Sequence, residues 1–362
     1  MDRGKKKRVA LVAMALAALT AGTLLSSCAA PPEGEEAAHE STITVTDTAG
    51  REVTLPYPVS SLVVSDDNQA ELIKLLGGEK KVVGIEGSIR ERGYYPEMSD
   101  KPITGNQWRG LNYEKIAELN PDIVILLGHA PGAAAAPVIE ELHKIGVEAL
   151  CVDTITPEQR VKSIQLLGKI LGKEQRAEEY LKWREDILGK LEASLKGLDE
   201  EGKRTVLFRD IAFRGTFGKG YPMNRTLEMA GLTNIYDFPG NKEVSPESVV
   251  TKNPDIIILG DWEGKFVGYH VATCSAAEKV IQGELEKRPE LENTAAAQNN
   301  QVFVINYVLT GTRGDIGALY LAKAAYPERL RDIEPVAIHK EYFEEWLGVA
   351  YQGTWFCPQP WR

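Results

Sequence analysis

Residues 253–259 read NPDIIIL, and 133 residues earlier the chain reads NPDIVIL at 120–126. The echo extends upstream, so that NYEKIAELNPDIVIL (112–126) lies over SPESVVTKNPDIIIL (245–259), with Glu114 over Glu247 and Ile116 over Val249. A match of this length requires the same local structure to be built twice. Its spacing is too wide for a solenoid, whose units recur every 20 to 50 residues or so. In each copy a glutamate opens a short helix, where a carboxylate favours the macrodipole. Asn-Pro then ends the helix, because proline drives its predecessor out of the helical region. The runs Ile123–Leu126 and Ile256–Leu259 are aliphatic without alternation, which predicts strands buried on both faces of a parallel sheet. The repeat therefore predicts an α/β protein of two similar Rossmann-like lobes, and 362 residues suffice for two cores.

The first 27 residues obey another rule. MDRGKKKR carries five basic residues and one acid, Val9–Leu25 is an apolar stretch, and Leu25-Ser26-Ser27-Cys28 follows. This order matches a secretory signal peptide, and small residues before Cys28 resemble a lipobox, in which the cysteine is acylated. The alternative, an uncleaved anchor, asks for about 20 apolar residues. Both place the body on the outer face of the cytoplasmic membrane, in a periplasm or at a cell surface. Loss of residues 1–27 lowers the formal net charge from -10 to -14. That balance excludes nucleic acid as a natural partner, since phosphates demand basic patches. Residues 28–41, small, acidic and proline-containing, predict a flexible tether.

Of the remaining cysteines, Cys151 sits in the apolar run VEALCVD and reads as a buried thiol. Cys274 and Cys357 can pair outside the cytoplasm, but the sequence leaves their connectivity open. No CxxC or Cys/His zinc spacing occurs.

Past the tether, an N-terminal lobe is expected over 42–155, opening with a hairpin that turns at Ala49-Gly50. A helical spine follows over 156–200, with leucines at three- and four-residue steps, then a C-terminal lobe with terminal helices over 201–348 and a tail over 349–362. Two lobes joined by one long helix should move little relative to each other.

An exported lipoprotein with two α/β lobes and a helical spine resembles the substrate-binding components of ABC importers for ferric siderophores, haem and cobalamin. The marks are TGNQWRGLNYEKIAELNPDIVIL, VSPESVVTKNPDIIIL and GALYLAKAAYPERL, in that order, and the resemblance covers about residues 42–348. It implies that Glu114 and Glu247 each dock on one copy of a permease dimer, itself served by ATPase subunits. A twofold partner needs two equivalent contacts. It also implies that Trp108, just before the first echo glutamate, faces the ligand.

In open α/β sheets the crevice lies beyond the carboxyl ends of the strands. The loops placed there hold Tyr94, Tyr95, Trp108 and Arg109, with Arg90 and Arg92 nearby. From the second lobe come Arg209, Phe213, Arg214, Trp262, Tyr307 and Arg313. Arginines clustered at a cleft of a strongly acidic protein suit a ligand that presents negative oxygens, which ranks a ferric siderophore first, cobalamin second and haem third. No catalytic residue and no cofactor are expected: there is no GxSxG elbow, no phosphate loop and no HExxH. The acids Asp66 and Asp67 read as surface features. A chelatase-like enzyme is opposed by the export signal. A free zinc or manganese binder would use loop histidines such as His129 and His270, but needs three or four ligands.

Overall fold

A computed structural model describes residues 41–128, 135–212, 215–221 and 223–359. The expected hairpin is present: Ser41–Thr46 pairs antiparallel with Glu52–Tyr57, and Gly50 takes a positive φ of 80° at the turn. The N-terminal lobe is a four-stranded parallel sheet in the order Val82–Gly84, Leu62–Val64, Ile123–Leu127, Glu148–Val152. In the C-terminal lobe three parallel strands, Thr205–Asp210, Ile256–Asp261 and Val302–Asn306, form the centre of a seven-stranded sheet, whose outer strands pair antiparallel except for the short parallel strand Thr233–Asn234. Every residue of the two echo strands is buried, as unbroken aliphatic runs require.

The echo resolves into parts with separate structural work. Asn112 and Ser245 cap the helices Tyr113–Leu119 and Pro246–Lys252 by accepting from the backbone N–H groups of Lys115 and Ser248. Asn120 (φ 43°) and Asn253 (φ 41°) then reverse the chain in the left-handed region that asparagine tolerates. The aspartate ties the strand to its neighbour. Asp122 Oδ2 accepts from Ser60 N and Ser61 N, and Asp255 Oδ2 from Thr205 N and Oγ1. The repeated letters thus fix a helix end and a strand register in each lobe.

Three expectations change. The spine is two helices, Pro157–Leu171 and Glu174–Leu195, not one: Gly172 breaks it at φ 67°. The pair packs closely, and a Cβ on Gly168 would come within 2.7 Å of the Ala177 Cβ. The tail expected over 349–362 carries structure in its described residues, where Phe356–Cys357 adds an edge strand against Val302–Asn306 and Cys357 is disulfide-bonded to Cys274. Finally, the lobes do not keep separate hearts. The largest apolar cluster runs from Leu62 and Val64 through Leu72 and Ile73 to Phe208, Ile305 and Leu319, and smaller clusters line the outer face of each sheet. The joint is the helix Asp67–Leu75, buried over its whole length.

Candidate functional site

Between the lobes lies a cavity of about 800 Å³. The N-terminal lobe lines it with Asp66, Glu86, Glu91, Arg92, Tyr94, Trp108 and Arg109, and the C-terminal lobe with Trp262, Glu263, Lys265, Tyr269, His270 and Trp355.

Trp108 is carried on a tight turn between Gly105–Asn106 and Gly110–Leu111. Asn106 Oδ1 shapes the turn by accepting from the N–H groups of Trp108 (3.0 Å) and Arg109 (2.7 Å), and leaves the indole 52% exposed. On the facing wall Asp261, 3% exposed, ends the second echo strand and gathers four backbone N–H groups. Oδ1 takes those of Gly264 and Lys265, and Oδ2 those of Phe266 and Val267. Trp262 is thereby held flat against Tyr307, with centroids 4.9 Å apart and planes 21° apart. Further along the loop His270 Nε2 reaches the opposite lobe and donates to the Glu91 carbonyl at 3.2 Å.

The floor is ionic. Arg92 pairs with Asp67 at 2.6 Å and donates to the Tyr307 hydroxyl at 3.0 Å, while that hydroxyl donates to Asp67 Oδ2 at 2.6 Å. Asp66 caps the buried helix by accepting from Asn68 N. Burial, with Asp67 adding repulsion, pushes its carboxyl up to about 7. Tyr94 is pushed up to about 12 by burial and presents a neutral ring.

The expected residues divide accordingly. Tyr94, Trp108, Arg109 and Trp262 line the cavity, and Tyr307 stands directly behind Trp262. Besides Tyr307, three others do not reach it. Tyr95 turns inward, its hydroxyl donating to Glu71 Oε2. Arg209 is 2% exposed because the strand runs on to Asp210, which keeps Arg209 inside the sheet rather than beyond its end. Arg313 is 1% exposed and forms a two-pronged ion pair with Glu71 (2.8 and 2.7 Å), a partner on a helix of the other lobe. Arg90 is also anchored away, on the carbonyls of Ser99 and Lys101. Phe213, Arg214, His129 and Cys28 lie outside the described residues. Asp66 and Asp67 were read as surface acids; both belong to the floor. Their position directly after the strand Leu62–Val64 was the available signal. Trp355 had none, since nothing local ties residues 349–359 to the cleft. Glu114 and Glu247 are both exposed in the first turns of their helices. Among the described residues no three His, Cys, Asp or Glu side chains converge as a metal site, and no helix is long and apolar enough to cross a membrane.

Two α/β lobes meeting over an aromatic and ionic cleft define a solute-binding protein. The chain belongs to the periplasmic binding protein family, which it matches over residues 62–308, the substrate-binding class that serves ABC importers by binding rather than catalysis. Its fold is similar to that of a TroA-like periplasmic binding protein, FepB, from Veillonella parvula, with a TM-score of 0.75, 25% identity and coverage of 87% of this chain and 99% of that one. It is 22% identical over 343 residues to the molybdate-binding protein MolA of Haemophilus influenzae, covering 85% and 92% of the two chains. It is 25% identical over 342 residues to an uncharacterised ABC transporter substrate-binding lipoprotein, YvrC, of Bacillus subtilis, covering 90% and 100%.

Proposed function

We propose that the protein captures an iron complex, a ferric siderophore of low net charge, in the inter-lobe cleft and delivers it to an ABC permease. The observation that carries this is the composition of the cleft. Aromatic rings come from both lobes, and Arg92, Arg109 and Lys265 are offset by Glu86, Glu91 and Glu263. With Arg209 and Arg313 buried, the arginine cluster that would welcome a multiply charged ferric catecholate is reduced to Arg109 and to Arg92, which Asp67 already neutralises. A neutral ferric hydroxamate suits such walls better. Rings of this number also favour a corrinoid, the second reading. A lone molybdate, the ligand in the name of one relative, would fill little of about 800 Å³. The test is a thermal-shift and tryptophan-quenching screen with ferric hydroxamate, catecholate and citrate complexes, cobalamin, haem, molybdate, zinc and manganese. Stabilisation by ferric hydroxamate is expected, growing with the logarithm of its concentration. Tight binding of catecholate or molybdate with no response to hydroxamate or cobalamin overturns the reading.

Delivery is assigned to Glu114 and Glu247. Each crowns a copy of the echo, and the capping, chain reversal and strand ties of that motif fall on Asn112 or Ser245, on the Asn-Pro asparagines and on the aspartates, while the glutamates are exposed. Glu114→Arg and Glu247→Arg should leave chelate affinity unchanged and impair uptake, the double change most, because each replaces attraction to a basic permease site by repulsion. Normal uptake by the double variant would refute docking. Cys28 is proposed as the acylated anchor. Mass spectrometry should find lipid on the parent and none on Cys28→Ala.

A further inference from the structure

Arg313 lies behind the floor of the cleft rather than in it. Its Nε and one terminal nitrogen hold both oxygens of Glu71, and the other terminal nitrogen donates to His339 Nε2 at 3.3 Å. Burial, reinforced by the Arg313 charge, holds that imidazole well below its usual range, so it accepts as the neutral ring. Glu71 in turn accepts from the hydroxyls of Tyr342 (2.7 Å) and Tyr95 (3.2 Å). Around the guanidinium stand four rings, with centroids at 4.6 Å (Phe343), 4.8 Å (Trp355), 4.9 Å (Tyr94) and 5.4 Å (Tyr342).

Two of those four rings, Tyr94 and Trp355, also line the cavity. They reach it from distant parts of the chain and are themselves in edge contact at 6.1 Å. The two members of the ion pair come from opposite lobes as well, Glu71 from the helix Asp67–Leu75 and Arg313 from the residue that opens the helix Gly314–Ala325. We propose that Arg313 is a positioning residue for ligand binding, acting through Tyr94 and Trp355. One planar cation sets the angle of both rings while its pairing with Glu71 fixes the lobe separation at that point. The proposal rests on the reading of the cleft as the ligand site.

The chemistry of the pair favours positioning over mere stability. A buried ion pair can often be exchanged for apolar residues of similar volume at little cost, so stability alone is a weak reason for its presence. A guanidinium offers a plane, which can stack on rings while donating in several directions. Lysine offers a point charge and could not hold two rings and a carboxylate together.

The test uses the full chain labelled with 5-fluorotryptophan, the Trp355 and Trp108 resonances being assigned through Trp355→Phe and Trp108→Phe. The paired change Glu71→Gln with Arg313→Met leaves no unpaired buried charge. Arg313→Lys retains the charge and loses the plane. Both variants should move the Trp355 resonance in ligand-free protein, leave that of Trp108 in place, and weaken ferric hydroxamate binding by about tenfold or more. A Trp355 resonance and an affinity unchanged in both variants overturn the proposal, as does full rescue of affinity by Arg313→Lys. If the parent binds none of the screened chelates, the functional reading fails separately. The ligand-free Trp355 resonance then decides the positioning role alone, its movement supporting it and its constancy overturning it.

Discussion

On the C-terminal side of the cleft a single buried carboxylate, Asp261, gathers the N–H groups of four consecutive loop residues, and the Cys274–Cys357 disulfide fastens the far end of that loop to an edge strand. On the N-terminal side Trp108 stands half in solvent, on a turn shaped by one asparagine. The first wall is built before the ligand arrives. Under the proposed reading, the second offers apolar area for a ligand to cover. Binding energy in such a cleft comes with little ordering cost from one side and with fresh apolar burial from the other, the combination that preorganisation favours.

The largest expected effect breaks the prebuilt wall. Asp261→Ala leaves four N–H groups without their charged acceptor, which is itself only 3% exposed, and should lower unfolding stability by about 3 kcal/mol. Urea denaturation measures this. Chelate affinity should fall with it, because Trp262 loses the loop that holds it on Tyr307. A stability loss within about 0.5 kcal/mol, the range of ordinary surface changes, would mean that this wall is no more organised than its partner.

Trp108→Ala tests the other side with the opposite signature. Its exposed indole adds little to the folded state, so stability should hold within about 0.5 kcal/mol. Affinity should fall by about 1–3 kcal/mol, the scale of an aromatic contact covered by ligand. Titration calorimetry separates the two quantities. A destabilised variant with unchanged affinity would reverse the assignment of the two walls.

What the sequence made legible follows the range of the interactions involved. The echo strands, the hairpin and the cleft positions of Trp108, Arg109 and Trp262 depend on residues within a turn or two of themselves, and patterning finds those. The break of the spine was readable too. Gly172 follows a leucine at a helix end, the usual place for a left-handed glycine. Arg313 was misplaced because its partner Glu71 is 242 residues away, on a helix whose complete burial no local pattern announces. Trp355 was missed for the same kind of reason. A disulfide and a short edge strand bring it to the cleft, and the sequence left that disulfide undecided.

A pH-dependent effect concerns the N-terminal side of the cleft floor, through Asp66. Its carboxyl is raised from 3.8 to about 7 by burial and by Asp67, so the folded protein holds a proton that the unfolded chain gives up. The stability tied to that proton is fully present below about pH 4 and is lost as pH rises through about 7. Asp66→Asn keeps an oxygen to cap the helix and never ionises, so it should match the parent in acid and gain on it as pH rises. His339 works in the other direction. Its depressed titration contributes stability above its unfolded value near 6.5 that is lost as pH falls, but it is present in both proteins and cancels in their difference. Melting temperatures of variant and parent, compared at about pH 5 and about pH 8, isolate the Asp66 contribution. A gap that widens toward alkaline pH is expected, and a gap independent of pH would show that the Asp66 carboxyl is as well solvated as the half-exposed Trp108.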